Sequence, residues 1–410
     1  MKILQINNQH YLKGGAHRVY LDSASLLKSN GHKVYFFSLK DEQTISDENS
    51  AFFPKAAEFR ESNFVNKILS VKSFINNKKA SNNLKKYIKK IKPDVAHVHL
   101  FMGGLTTSIL KVLKDNGIPI IHTVHDYRLI CPSYLFIDGN SKICEKCKNG
   151  RYINCLTNNC SDKSLSQSCV LVIDAYYRKY IDSPYKYIDK FVFVSDFIYK
   201  KHIEYHKHIE LKSVMLHNFM SNLETIKPNN EKGKYFLYLG RLSIEKGVNT
   251  LINAAEKANV RLKIVGNGPL LERKETCKNK NIEFLGFKKG DELWDIVQKA
   301  SFIIVPSEWY ENNPLSIIES YAYGKPVIGS KIGGIPEILK HGETGFLFDN
   351  GNEVKLKEIL IHADSISNND YKLLSQNARN FAENNFNPEK YYKTLIQIYK
   401  QVIKTSNKNK

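Results

Sequence analysis

The sequence predicts an α/β protein built from two doubly wound domains, and three observations carry that prediction. The chain has 410 residues, more than one domain usually holds. Its first forty residues run from an apolar strand through a Gly14-Gly15 loop into a helix and a second strand, which is a parallel βαβ unit. The same alternation starts again near residue 235.

Taken in order, Lys2 to Asn7 reads as a strand, 16–30 as a helix stopped by Gly31, and Lys33 to Leu39 as the second strand. Apolar strands follow at 94–100, 118–124 and 190–195. Residues 220–234 are polar and rich in Asn and Lys, the composition of a linker. Beyond them come strands at 235–240, 261–266, 282–285, 302–305 and 326–330, with helices at 248–258, 291–299 and 314–323. The expected division is therefore a first Rossmann-like domain over 1–219 and a second over 220–387, facing each other across a deep cleft. A helix over 388–404 carries Tyr391, Leu395, Ile398 and Tyr399 on one stripe; periodicity leaves open whether it returns to the first domain. Ligands of such sheets sit beyond the carboxyl ends of the strands.

Composition narrows the partners. Lysine and arginine number 61 against 41 acids, a net charge of +20, which suits nucleic acid, anionic lipid or phosphorylated small molecules, and which a lysine-biased genome also produces. From Ser62 to Pro93 there are nine lysines and no acid, with Leu84, Tyr87, Ile88 and Ile91 at helical spacing beside Lys85, Lys86, Lys89 and Lys90. That pattern fits either a solvated helix face or contact with an anionic membrane surface. The opening residues are too short an apolar run for a secretory signal, and no run of about 18 apolar residues appears, so the expectation is a cytoplasmic protein, at most peripheral to the membrane.

Several motifs could carry chemistry. Gly14-Gly15 lets backbone approach a phosphate or sugar at a helix start, but it is not the G-x-G-x-x-G dinucleotide fingerprint. Arg241 and Lys246 lie in the loop Gly240 to Gly247 after a strand, a fork and a point charge able to grip a diphosphate. In Glu311-Asn312-Asn313-Pro314-Leu315, Asn313 reads as a helix cap and Pro314 as the first helical residue, with Glu311 in the loop and Glu319 within the helix. Positions eight apart on a helix lie about 12 Å apart along its axis, too far for paired glycosidase carboxylates, so the two glutamates suit different hydroxyls of one extended ligand. His125 and Asp126 end a strand, where the histidine could donate to a sugar hydroxyl. Cys144, Cys147, Cys155 and Cys160, within a cysteine-rich insert over 131–169, have a spacing that reads as a structural zinc site.

Together these residues resemble the retaining glycosyltransferases of family 4, of the GT-B fold. The resemblance runs over nearly the whole chain: Gly14 to Val19, His125, Ser195, Asn218, Gly240-Arg241 with Glu245-Lys246-Gly247, Gly266-Asn267-Gly268-Pro269, Pro306-Ser307, Glu311 with Glu319, and Gly333 to Glu337. It implies sugar transfer from a nucleotide-sugar, with retention and no obligatory metal. Arg241 and Lys246 would bind the donor diphosphate, Glu319 the ribose, and Glu311 and His125 the donor sugar. Gly15, Gly266, Asn313, Pro314 and Leu315 would line the donor site, with Gly14, Gly15, His125 and Asp126 on the acceptor side. The chain departs from the family at Asn218-Phe219-Met220-Ser221, where Asn-Gly-Val-Asp is common, and at His17, which is often acidic. The cysteine-rich insert resembles one found in a subset of bacterial members.

The expected activity is thus transfer from a nucleotide-sugar, UDP-linked by preference, to a glycan or polyprenyl-linked acceptor in bacterial surface polysaccharide synthesis. Two alternatives stand beside it: a nucleotide-sugar epimerase or hydrolase on the same fold, and a basic binding protein for nucleic acid or an anionic membrane. The chain lacks aromatic-rich nucleic-acid signatures, so no nucleic-acid partner is expected.

Overall fold

A computed structural model of the protein describes residues 1–56, 64–161 and 164–408. The start of the basic stretch, Ser62 and Asn63, therefore lies outside the described residues, as do residues 162 and 163 of the cysteine-rich insert. The chain forms two compact units. Met1–Leu216 joins Glu389–Lys410 in unit 1, and His217–Pro388 makes unit 2.

Unit 1 runs β1 (Lys2–Gln9), α1 (Gly15–Ser29), β2 (Lys33–Leu39), α2 (Phe64–Ile75), α3 (Lys78–Ile91), β3 (Val95–Val98) and α4 (Ser108–Asp115). It continues with β4 (Ile120–Val124), α5 (Ile153–Thr157), α6 (Leu165–Tyr180), β5 (Lys190–Phe193), α7 (Asp196–Tyr205) and β6 (Ser213–Met215). Its six strands stand in the order β2-β1-β3-β4-β5-β6 and all pair in parallel. Every residue of β3 and β4 is buried, as a parallel sheet covered on both faces requires. In α3 the stripe Leu84, Tyr87, Ile88 and Ile91 is buried while Lys85, Lys86, Lys89 and Lys90 face out, and Asn77 caps its first turn by accepting from the Ala80 N–H at 2.9 Å.

Unit 2 runs β7 (Phe236–Leu239), α8 (Val248–Ala258), β8 (Leu262–Val265), α9 (Arg273–Thr276), β9 (Ile282–Gly286), α10 (Gly290–Gln298) and β10 (Ile303–Val305). Then come α11 (Leu315–Ala322), β11 (Val327–Ser330), α12 (Ile335–Ile338), β12 (Gly345–Phe348), α13 (Glu353–Ser365) and α14 (Asn368–Asn385). Its parallel sheet has the order β12-β11-β10-β7-β8-β9. The first and fourth strands of the unit, β7 and β10, are neighbours, so their carboxyl ends mark the switch point of the sheet. In unit 1 the corresponding switch lies between β1 and β3.

The last helix, α15 (Pro388–Lys408), packs on unit 1 through Tyr391, Leu395, Ile398, Tyr399 and Val402, all buried. The Tyr399 hydroxyl lies 2.7 Å from His97 Nδ1 on β3. Tyr392 meets His32 Nε2 at 2.9 Å.

One expectation is corrected here. Residues 220–234 do not form a free linker: Met220, Leu223 and Ile226 are buried in the core of unit 2, and the Asn229 side chain donates to the Gln298 carbonyl at 3.0 Å. The three apolar residues recur every third position, and that spacing outweighs the polar composition around them.

Candidate active site

In unit 2 the loop after β7 and the loop after β10 meet at the switch point. The Glu308 N–H donates to the Glu245 carbonyl at 2.8 Å, tying one loop to the other. Across this seam Lys246 Nζ lies 2.6 Å from Glu311 Oε1 and 4.8 Å from the centre of the Trp309 ring. The same Oε1 accepts from the Ser307 hydroxyl at 2.7 Å and the Trp309 indole N–H at 2.9 Å. Glu311 is only 6% exposed. Burial works to raise its pKa, yet Lys246 and the two neutral donors outweigh it and hold the carboxyl below its ordinary value.

Arg241 stands at the mouth of the same loop. Its guanidinium pairs with Glu245, whose Oε1 also accepts from the Ser243 hydroxyl at 2.7 Å. Burial opposes ionisation of Glu245, but Ser243 and Arg241 win and its pKa is lowered. The buried Tyr238 hydroxyl donates to the Arg241 carbonyl at 2.6 Å and fixes the turn. Gly247, at φ +68°, lies so close to β10 that a Cβ there would sit 1.9 Å from the Pro306 carbonyl oxygen, so only glycine lets the two loops touch. Gly266, at the end of β8, stacks equally tightly on Gly240.

The helix start before Glu319 differs from the expectation. Pro314, with ψ 118°, is the flanking residue and the helix begins at Leu315. Asn313 does not cap it. Its side-chain oxygen instead accepts from the buried Asn218 N–H at 3.0 Å, and the Asn218 amide donates to the Asn313 carbonyl at 3.1 Å. Asn313 thereby anchors the loop to the first residues of unit 2, in place of the helix. Glu319 is half-buried on α11.

In unit 1, His125 follows β4 and its Nε2 lies 2.8 Å from His99 Nδ1, just past β3. His99 Nε2 contacts Gln5 Oε1 at 3.0 Å. Burial drives His97 and His125 down to about 3 and His122 to about 4, so the group is neutral near pH 7. Asp126 folds into a turn and accepts from the Arg128 N–H at 2.9 Å; burial raises its pKa. Gly14 flanks the start of α1 in extended conformation, φ −178°, with open space where a Cβ would stand. Gly15 is the first residue of α1, and His17 in its first turn contacts Gln9 Oε1 at 3.1 Å.

Among the described residues no three His, Cys, Asp or Glu side chains are arranged to hold a metal ion. Cys155 and Cys160 share a side-chain hydrogen bond. Burial, aided by Cys131, Cys160 and Cys144, pushes the Cys147 thiol up to about 12. The sequence spacing overlooked Cys131, which lies near enough to act on Cys147 and Cys155. Among the described residues no helix is long and apolar enough to cross a membrane.

Sequence reasoning missed Trp309, His99, Gln5 and Tyr399 as members of these clusters. Trp309 stands two residues before Glu311 and was within reach of the motif. The other three lie on β1, just past β3 and on a distant helix, and only the sheet register brings Gln5 beside His97.

Two family models match consecutive parts of the chain. Glycosyltransferase Family 4 covers residues 13–219, which is 207 of 410, and Glycosyl transferases group 1 covers residues 221–381. A Klebsiella pneumoniae protein of 42.6 kDa from a cps region is 25% identical over 356 residues, 83% of this chain and 88% of the relative. An uncharacterised glycosyltransferase of Methanocaldococcus jannaschii is 30% identical over 196 residues, and there the chain spans about half, 54%, of the relative's length. Among solved structures, sucrose-phosphate synthase from Thermosynechococcus elongatus matches with a TM-score of 0.69 at 18% identity, covering 98% of this chain and 99% of that one. An Anabaena protein solved with UDP matches with a TM-score of 0.62 at 16% identity over 100% of both chains. The structures speak for the fold, two α/β domains of the GT-B class, and the family model for the kinship: the chain belongs to glycosyltransferase family 4.

Proposed function

We propose that the protein transfers a sugar, with retention at the anomeric carbon, from a UDP-sugar to a glycan or polyprenyl-linked acceptor in bacterial surface polysaccharide synthesis. The observation that carries this reading is the Lys246–Glu311 pair at the switch point of unit 2, with Arg241 on the same loop. At rest each cation is balanced by a carboxylate. A donor diphosphate offers both cations a doubly charged alternative, and its departure from the anomeric carbon adds charge that Arg241 and Lys246 stabilise. The amino end of α11 adds the positive end of its dipole. Ionised Glu311 is an acceptor, and because its three donors converge on Oε1, Oε2 serves a hydroxyl of the donor sugar. Glu319 takes the ribose hydroxyls.

The acceptor oxygen then attacks the anomeric carbon on the face that the diphosphate vacates, and its proton passes to a phosphate oxygen of the leaving group. The arginine and lysine charges make a metal unnecessary for this step. Support for UDP comes from the Anabaena protein, solved with UDP and with UDP-glucose, and support for a surface polysaccharide from the cps-region relatives in Klebsiella.

A thermal-shift panel of nucleoside diphosphates and nucleotide-sugars tests the donor. Stabilisation by one UDP-sugar, absent in Lys246→Ala, is expected; no stabilisation by any of them sinks the reading. The anomeric proton coupling of the product reports retention, and free sugar in place of a glycoside identifies a hydrolase.

A further inference from the structure

His125 reaches the rest of unit 1 through a continuous chain of buried side chains. His125 Nε2 meets His99 Nδ1 at 2.8 Å, and His99 Nε2 meets Gln5 Oε1 at 3.0 Å. The Gln5 amide N–H2 faces the Tyr399 hydroxyl at 3.5 Å. Tyr399 meets His97 Nδ1 at 2.7 Å, and His97 Nε2 meets Thr123 Oγ1 at 2.7 Å. Gln5, His97, His99 and Tyr399 are all fully buried, so no water competes for these bonds.

Such a chain has one direction of donation throughout. The Gln5 carbonyl oxygen only accepts, so His99 carries its proton on Nε2 and offers a lone pair at Nδ1. His125 must then donate from Nε2. On the other side Tyr399 accepts from the Gln5 amide and donates to His97 Nδ1, which leaves His97 protonated on Nε2 and donating to Thr123. Turning the Gln5 amide over would reverse every link and place all three imidazoles in the Nδ1–H form. The Nε2–H form is the intrinsically favoured tautomer of neutral imidazole, and the order seen here gives it to all three rings at once.

We infer that Gln5, through His99, locks His125 in the neutral Nε2–H tautomer, and that Tyr399 of α15 holds Gln5 in the orientation that does so. Whatever His125 meets at Nδ1, it meets as a hydrogen-bond acceptor. This reverses the expectation that His125 donates to a sugar. Gln5, His99 and Tyr399 are positioning residues that act through His125, and their bearing on transfer rests on the proposed function.

The test is long-range ¹H–¹⁵N correlation of the imidazoles in full-length, histidine-labelled protein at pH 7, with His125→Gln identifying the His125 signals. The expected pattern is a protonated Nε2 and an unprotonated Nδ1 for His125. A protonated Nδ1, or averaged nitrogens, in the wild type overturns the inference. Gln5→Met, which removes the acceptor, should average the two nitrogens, and Gln5→Glu, which keeps one, should restore the wild-type pattern. An unchanged tautomer in Gln5→Met overturns the role of Gln5. Given a working donor, Gln5→Met should lower kcat by about tenfold with little change in KM, with Gln5→Glu recovering most of it. Released tautomers at an unchanged kcat overturn the positioning role. Absence of transfer by the wild type itself strikes the transferase reading and leaves the tautomer result standing.

Discussion

Lys246 and Glu311, 65 residues apart in sequence, meet at 2.6 Å where the loops after β7 and β10 converge. The lysine sits over the Trp309 ring and the glutamate is nearly inaccessible. This pair is both a structural tie and the charge store of the site, and the two roles separate by mutation.

Lys246→Ala leaves Glu311 buried without its cation, so it should lose stability as well as transfer, the latter by at least about tenfold, roughly 1.4 kcal/mol of barrier. Adding Glu311→Gln removes the stranded charge. The double variant should regain most of the melting temperature and none of the transfer. Recovery of both, measured by calorimetry and a radiolabelled-donor assay, would show that the pair is structural only.

Acidity should act on unit 1 before it acts on this pair. His97, His99, His122 and His125 are held neutral by burial, at about 3, well below 6.5, about 4 and about 3. The unfolded chain binds protons at these positions below pH 6.5 and the folded chain does not. Stability therefore falls as pH drops from 6.5 toward 4; these four add up to four protons to the slope, each roughly 1.4 kcal/mol per pH unit, and His10, His17, His32, His202 and His206, also lowered by burial, steepen it further. Urea unfolding at pH 7, 6 and 5 measures it. Glu311, with its lowered pKa, adds a loss only below the ordinary carboxylate range, at about pH 4 and under.

Gly333 holds the Glu311 loop from behind. It has φ +57°, a Cβ there would stand 2.2 Å from the Glu311 carbonyl oxygen, and the next N–H, of Gly334, donates to that oxygen at 2.7 Å. Gly333→Ala should shift the loop, weaken UDP-sugar binding by tenfold or more and cost over about 1 kcal/mol of stability. Gly342, with φ +78° and nothing within 4 Å, is the control: its alanine variant should pay only the backbone strain, about 1 kcal/mol, and bind donor normally. Isothermal titration of the two variants distinguishes them.

Asn313→Ala should deprive the buried Asn218 N–H of its acceptor, at a cost of about 1–3 kcal/mol. Because the affected loop carries Glu311 and leads into α11, donor affinity should fall with it. Asn313→Asp, which keeps the acceptor oxygen, should retain most of the stability in thermal melts.

Much of this was legible in the sequence because strands and their terminal loops are local. The run Phe236 to Leu239 followed by glycine announces both a strand and a ligand-facing turn, and Arg241, Lys246 and Glu311 were identified from such turns. What periodicity could not supply was pairing between distant segments. Nothing local says that Lys246 meets Glu311, that Asn313 turns away from its helix to hold Asn218, or that Tyr399 reaches Gln5. The cysteine spacing, likewise, is a statement about sequence separation, and it does not say that Cys131 lies near Cys147 and Cys155.

The return of α15 to unit 1 sets an order on synthesis. Gln5 and His97 are made early, but the hydroxyl that completes their chain belongs to Tyr399. All of unit 2 leaves the ribosome first, as an uninterrupted segment able to collapse on its own sheet, while the opening half of the chain waits with its histidines unsealed. The protein's first-made domain is thus the last to close, and a chain cut short before α15 would damage the histidine cluster at the far end of its sequence and spare the cation pair nearby.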